Sequence, residues 1–412
     1  MIFLSLWRHS VNKNRTAEIL SPAGDEERMR MAVAYGANAV YLAGKHFGMR
    51  AAAGNFGRDA MAEAVRYCHE RGTKVYVTCN TLPREEEIPL LPDYLHFLQD
   101  IGADAVIAAD FGVFSLIRRE TPHMKVHVST QFGVVNSEAA RALYDYGADT
   151  VVLARELSLS EIRAIRKNTP EDLRIECFVH GAMCMAFSGR CLLSNYFTGR
   201  DSNRGQCAQP CRWSYHIVEE TRPGEYYPII EDNGTHILNS RDLCMIDHVP
   251  ELLECGVNSL KIEGRMKSFY YTAVVTAAYR HAMDAALAGE PLDPRWRTEV
   301  EMVSHRPYTT GFYYGEPDQE YADSSYSSGA NVAAVVESCD SGGFAVLTQR
   351  NKFHAGDEME LLLPGELPVP FTADALFTRE GEPLESTAQA MMVFRMKLPC
   401  AAPPLSIIRM KT

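Results

Sequence analysis

Five of the chain's eleven cysteines fall between Cys184 and Cys244. Four of them make a C-x6-C-x15-C-x3-C pattern: Cys184, Cys191, Cys207 and Cys211. Cys244 follows in Asp242-Leu-Cys244. Clustered thiols in a reducing compartment point to metal binding or catalysis before disulfides. Structural zinc favours close C-x2-C knuckles that fix a tetrahedron, and this run has none. Iron–sulfur clusters accept looser loops, because four thiolates need only converge on a cube or rhomb. A radical-forming C-x3-C-x2-C loop would need cysteine at position 214, which is Ser214. The spacing therefore predicts an iron–sulfur cluster, with zinc the less favoured metal and no metal a third reading. The scattered cysteines (Cys68, Cys79, Cys177, Cys255, Cys339 and Cys400) read as packed thiols.

A scaffold must bring such loops together, and the sequence contains one. A short phrase recurs: Gly36-Ala-Asn-Ala-Val-Tyr, Gly102-Ala-Asp-Ala-Val-Ile, Gly147-Ala-Asp-Thr-Val-Val and Gly256-Val-Asn-Ser-Leu-Lys. Each follows an amphipathic stretch. The glycine suits a left-handed helix terminus, and the residues after it turn into a buried strand. Interleaved runs such as Lys74-Val-Tyr-Val-Thr-Cys bring the candidate strands to eight, at about 18–22, 38–44, 74–80, 104–110, 125–131, 149–155, 173–180 and 258–264. Eight strands with helical crossovers predict an α/β fold, a closed (β/α)8 TIM-like barrel. The alternative is a doubly wound open sheet, which lacks support from any Gly-x-Gly-x-x-Gly fingerprint. The cysteine run becomes an insert between strands seven and eight, about 181–257, at the barrel mouth.

Chemistry in such barrels sits where strands end. The residues there are Asn80, Asp110, Gln131, Arg155, Glu156, His180, Lys261, Glu263 and Arg265. In Lys261-Ile-Glu-Gly-Arg265 alternate side chains share a face, so two cations suit an anionic ligand. The plainer reading pairs Lys261 or Arg265 with Glu263 in a structural ion pair.

Residues 1–16 read as a frayed leader and 17–290 as the barrel with its insert. Residues 291–324 form a linker containing Ser304-His-Arg-Pro-Tyr-Thr-Thr-Gly-Phe-Tyr-Tyr-Gly315, either packing or a flap over the mouth. Segments at Ala330–Ser338, Gly343–Thr348, Met359–Leu363, Val393–Leu398 and Leu405–Met410 predict a small, barrel-like β domain over 325–412. Hydrophobic residues make up 46% and charged residues 23%, as in a soluble globule. No apolar run reaches the roughly 18 residues a membrane span needs, and no secretory signal pattern opens the chain, so a cytoplasmic location is expected. The net charge of −12 argues against broad binding to nucleic acid and leaves room only for a local basic patch or a partner's counter-charge. His-Glu-x-x-His and Gly-x-Ser-x-Gly hydrolase motifs are missing.

Several of these stretches together resemble the collagenase-like peptidase family: Leu20-Ser-Pro-Ala-Gly-Asp25, Glu176-Cys-Phe-Val-His-Gly-Ala-Met-Cys184 through Cys191, Asn203-Arg-Gly-Gln-Cys-Ala-Gln-Pro-Cys-Arg212, Ser259-Leu-Lys-Ile-Glu-Gly-Arg-Met-Lys267 and Tyr308-Thr-Thr-Gly-Phe-Tyr. The likeness is close over about 17–315 and looser beyond. Its better understood members are prephenate-dependent RNA hydroxylases, so the resemblance implies 5-hydroxylation of the wobble uridine of tRNA. It implies a 4Fe-4S cluster on Cys184, Cys191 and Cys207, with Cys211 or Cys244 as fourth ligand, and a homologous partner subunit or a homodimer. Prephenate carries two carboxylates, which from charge alone assigns Lys261, Arg265 and Arg155 to the co-substrate, beside Gln131 and Asn80. Glu176, Glu263 or His180 is the expected proton shuttle. A true peptidase with a cysteine or metal mechanism and a non-catalytic subunit of a heterodimeric hydroxylase are the alternatives.

Overall fold

A computed structural model describes residues 17–49, 54–184, 191–213, 216–218, 226–228, 241–315 and 327–412. The leader at 1–16 and residues 316–326, which end the predicted linker and open the C-terminal domain, lie outside the described residues.

Eight parallel strands close into a barrel: β1 (Glu18–Pro22), β2 (Ala39–Ala43), β3 (Lys74–Cys79), β4 (Ala105–Ala108), β5 (Lys125–Val128), β6 (Thr150–Val152), β7 (Arg174–Ala182) and β11 (Ser259–Ile262). Closure is explicit in the pairing, since β11 bonds both β1, through Glu18↔Ser259, and β7, through Ser259↔Glu176. The open-sheet alternative is thereby excluded. Helices α1 (Glu26–Ala34), α2 (Arg58–His69), α3 (Leu91–Asp100), α4 (Phe111–Glu120), α5 (Ser137–Asp145) and α6 (Leu159–Lys167) alternate with the strands. Their starts are written locally: Asp25, Asp110, Asn136 and Ser158 each accept a backbone N–H of the first turn. At the four recurrent phrases Gly36, Gly102, Gly147 and Gly256 take φ of 102°, 78°, 106° and 85°, the left-handed turn that returns a helix to the next strand.

The insert between β7 and β11 holds α7 (Leu193–Thr198), a short hairpin of β8 (His216–Val218) and β9 (Tyr226–Pro228), and β10 (Asp242–Cys244), which runs antiparallel to β7. After α8 (Val249–Glu254) and β11 comes α9 (Phe269–Ala288). Thirteen of its twenty residues are buried, because it is covered on more than one side. Among the described residues no helix is long and apolar enough to cross a membrane.

Residues 291–315 contain α10 (Pro294–Glu301) and β12 (Tyr308–Thr309), which pairs with β10. Arg306 is bonded to Asp242 at 2.7 Å, and the Tyr313 hydroxyl donates to the Phe178 carbonyl at 2.5 Å. This stretch is a packed strap against β7 and β10.

The C-terminal domain is one antiparallel sheet of eight strands: β13 (Ala330–Cys339), β14 (Phe344–Gln349), β15 (Glu358–Leu362), β16 (Val369–Thr372), β17 (Leu376–Thr378), β18 (Pro383–Leu384), β19 (Val393–Lys397) and β20 (Ile407–Lys411), ordered β16-β15-β20-β13-β14-β19-β17-β18. Arg409, fully buried, joins it to α10 through Glu299 at 2.7 and 2.8 Å and to α9 through the Tyr270 hydroxyl at 2.8 Å, and within the sheet bonds Glu360 at 2.8 Å.

Candidate active site

The barrel interior is polar for much of its length. A small apolar layer of Leu20, Ala39, Tyr41, Tyr76, Ala105 and Ile107 is all that its own hydrophobic cluster contains. Below it, Glu18 pairs with Arg174 at 3.0 Å and accepts from the Tyr76 hydroxyl at 3.0 Å. His127 packs its ring edge-on to Tyr76 at 4.4 Å. Burial, and then the positive charges of Lys261 and Arg174, hold His127 well below the usual imidazole pKa, so it is neutral.

Higher up, Glu176 is 0% exposed. One carboxylate oxygen lies 2.7 Å from the Lys261 ammonium, and the other accepts from Ser259 Oγ at 3.0 Å. The partner of Lys261 is therefore Glu176 on the neighbouring strand and not Glu263 two residues on. Lys261 Nζ also sits 4.9 Å from the Tyr41 ring centroid and 5.4 Å from that of Phe178. Glu176 forms a support beneath the floor rather than part of the surface.

At the C-terminal ends of the strands a cavity of about 150 Å³ opens. Asn80, Gln131, Arg155, Glu156, Lys261, Glu263 and Arg265 line it from the barrel, and Cys184, Cys191, Cys207 and Cys211 from the insert. Arg155 donates to the Ala182 carbonyl at 2.8 Å and lies 4.1 Å over the Phe178 ring, without an ion pair among the described residues. Arg265, 3% exposed, donates to Thr78 Oγ1 at 3.2 Å and to Asn55 Oδ1 at 2.8 Å, both neutral acceptors. Asn80 Oδ1 accepts from the Met49 N–H at 3.0 Å, which fixes the β2–α2 loop at the rim. Gln131 is held through Ser129 Oγ at 3.3 Å. Gly24, from the Ser-Pro-Ala-Gly stretch, allows the β1–α1 turn to lie against the Arg265 backbone, where a Cβ would come within 2.1 Å of its carbonyl oxygen.

Besides Glu176 and the helix-capping Asp110, two predicted site residues do not line the cavity. His180 is 1% exposed and does not line the cavity; its ring nitrogens face the Tyr279 hydroxyl at 3.4 Å and the Tyr308 hydroxyl at 3.3 Å. Strand alternation would put it on the same face as Glu176 and Phe178. The β7–β11 register shifts between Lys261 and Ile262, so that Ile262 rather than Glu263 opposes His180, and its ring is surrounded by Tyr271, Tyr279 and Tyr308. Cys244 lies opposite His180 on β10, 8% exposed, and burial raises its thiol to about 11. Both belong to the strap's packing. The 304–315 motif contributes no residue to the cavity wall. Thr78, Ser129, Thr130 and Phe178 do line it and were not singled out from the sequence. The inward alternation from Tyr76 through Thr78 to Asn80 is the signal that would have found the first.

None of the eleven cysteines is in a disulfide. Cys191 Sγ accepts from the Leu193 N–H at 3.4 Å and Cys207 Sγ from the Gln209 N–H at 3.3 Å. Backbone donors two residues on are suited to stabilising thiolate sulfur and tune cluster potentials. The donor chemistry of this wall fits an iron–sulfur cluster, although among the described residues no three Cys, His, Asp or Glu side chains are drawn together as closely as a metal ion requires.

The molecule is thus a (β/α)8-barrel protein whose mouth joins four thiols to buried cations. Residues 24–323 match the model of peptidase family U32, and residues 329–409 match that of the peptidase family U32 C-terminal domain. The chain belongs to peptidase family U32. It is 36% identical over 399 residues to the tRNA hydroxylation protein P1 of Bacillus subtilis, covering 95% of this chain and 94% of that one. It is 37% identical over 409 residues to the tRNA hydroxylation protein P of Escherichia coli, covering 89% and 90%. A collagenase of Porphyromonas gingivalis is 32% identical over 366 residues, covering 84% and 86%.

Proposed function

We propose that this chain is an RNA hydroxylase that adds oxygen to C5 of the wobble uridine of tRNA, with prephenate as co-substrate and an iron–sulfur cluster on Cys184, Cys191, Cys207 and Cys211. The observation that carries the reading is that these four thiols share one cavity wall with Arg155, Lys261 and Arg265. Similarity to relatives named tRNA hydroxylation proteins over nearly the whole chain supports the substrate. A cluster bound there would supply electron exchange at the edge of the cavity.

The chain's own residues have separable tasks. Arg155, which has no ion pair among the described residues, and Arg265 beside it on the cavity wall are the cations for the two carboxylates of prephenate. Lys261 is held in place by Glu176 and presents an ammonium partly neutralised from below. Glu263, on the wall, is the proton acceptor of this reading; Glu176 positions. The cavity is small, so the uridine enters extruded from its stack. A homologous partner chain or a second copy supplies further RNA contacts to an acidic protein.

The test is iron and acid-labile sulfide on anaerobically purified protein, with nucleoside analysis of tRNA from cells lacking the gene and complemented with wild type or Cys191→Ala. Wild type should bind iron and restore 5-hydroxyuridine, and Cys191→Ala should do neither. Unchanged hydroxyuridine with Cys191→Ala would overturn the cluster. Gelatin cleavage by wild type, lost in a cavity variant, would replace the reading with a peptidase.

A further inference from the structure

A second cavity, about 650 Å³, lies beside the mouth between the β2–α2 loop and helices α2 and α3, and the chemistry above makes no use of it. Its walls include Phe47, Phe56, Tyr94 and Phe97. Phe47 and Tyr94 have ring centroids 5.5 Å apart, and Tyr94 and Phe97 stack at 6.2 Å with 27° between planes. The Tyr94 hydroxyl, in a residue 7% exposed, rests against the Gly44 backbone and makes no well-formed hydrogen bond. Lys45 is exposed at the lip and has no ion pair among the described residues.

Arg58, ion-paired with Asp93 on the same wall, lies 4.8 Å over the Phe97 ring, and two further features lie beside them. Helix α2 begins at Gly57 without a side-chain cap, so the first-turn N–H groups beside the cavity have no side-chain acceptor. Phe47 has φ +63°, an unfavourable value for a bulky side chain, and is held there because its carbonyl accepts from both Thr81 N–H and Thr81 Oγ1 at 3.1 Å. The same loop reaches the first cavity through Met49, two residues and at most about 7 Å further along. That distance suits adjacent nucleotides splayed from a loop.

We propose that this cleft is a second base subsite, which takes the nucleotide next to the one in the barrel mouth, stacking its base on the Phe47–Tyr94–Phe97 wall with its phosphate at Lys45 and the start of α2. The inference rests on the RNA reading above and adds which part of the chain grips the neighbouring nucleotide.

The experiment is fluorescence anisotropy of a labelled RNA hairpin with uridine in its loop, titrated with wild type, Phe97→Ala and Lys45→Ala at several salt concentrations. Loss of one stacked base should weaken binding about tenfold in Phe97→Ala. Lys45→Ala should weaken it and lower the salt slope by about 0.7, one counterion on a single strand. Lys45 is exposed, so that variant keeps the test valid if Phe97→Ala fails to fold. Both variants binding within about twofold of a binding wild type would overturn the subsite and leave the hydroxylase reading intact. Wild type that binds no hairpin would overturn both. Displacement of the hairpin by uridine monophosphate at matching concentration would assign the cleft to a free nucleotide and also overturn the proposal.

Discussion

Replacing Glu176 by Gln should cost about 3 kcal/mol of folding stability, and replacing Lys261 by Met in the same chain should restore most of it. The carboxylate is 0% exposed and the ammonium 5%, and they lie 2.7 Å apart. At an effective dielectric of about 20 their gross attraction is about 6 kcal/mol. Desolvation of both groups offsets much of that, which is why the pair as a whole contributes little net stability. Glu176→Gln removes the attraction but leaves the ammonium, 5% exposed, without that counter-charge and against the Tyr41 and Phe178 rings. Breaking a buried pair from one side costs about 3–5 kcal/mol. The lower figure applies because glutamine can still accept from Ser259. The assay is a double-mutant cycle of guanidinium midpoints followed by circular dichroism, with Glu176→Gln, Lys261→Met and the pair. A loss below about 1 kcal/mol in Glu176→Gln, or strictly additive single effects, would refute the argument. The double variant should be folded yet inactive, separating the role of Lys261 in the cavity from its role in the barrel.

Arg155→Ala should raise the KM for the dicarboxylate co-substrate about tenfold or more with a smaller change in kcat, since its charge-assisted contacts are made on binding; steady-state kinetics decide, and an effect confined to kcat would count against a binding role. Arg409→Met should loosen the C-terminal domain, because it strands Glu299 at a buried junction and leaves Glu360 to Lys411; a cost of about 3 kcal/mol or more and faster proteolysis of the C-terminal domain are expected, and unchanged proteolysis would refute it. Stability should fall as pH drops below about 6.5, the unfolded imidazole value, because burial lowers both His127 and His180 well below it. Their contribution is complete above that pH and is lost, by up to about 1.4 kcal/mol per unit for each, as the pH falls toward the folded values; a flat melting temperature between pH 7 and 5 would contradict it.

The barrel was legible because its signal is local and repeated. Each Gly-x-Asn/Asp phrase carries its own turn, and the eight predicted strands all appear within a residue or a few at their ends. The C-terminal sheet was legible in its five longer strands. It hid β16, β17 and β18, which are two to four residues long and include Pro370 and Pro383 at the sheet's ends, where proline is tolerated and period-two alternation is too short to read. The cavity residues were legible as strand ends, but their partners were not. Lys261 has Glu263 as a neighbour in sequence, whereas closure of the barrel brings Glu176 beside it from 85 residues away. His180 was misplaced for a related reason: a single register shift between paired strands leaves no mark in either sequence, yet it reverses the face of every residue beyond it. Cys244, opposite His180, goes with it.

The net charge of −12 and an RNA substrate constrain one another. A protein that held a duplex by its phosphates would need a broad cationic face, and its affinity would fall steeply with salt. This chain instead sets cations at the cavities themselves: Arg155 and Arg265 in the mouth and Lys45 at the neighbouring cleft. Aromatic walls lie beside two of these points, Phe178 under Arg155 and the Phe47–Tyr94–Phe97 group near Lys45. On the hydroxylase reading, affinity therefore comes from stacking of one or two extruded bases more than from the backbone. Such a site favours unpaired loop nucleotides over helices without needing to read sequence. It also leaves the rest of the tRNA to be repelled or held by another chain, which gives a partner subunit an electrostatic reason to exist.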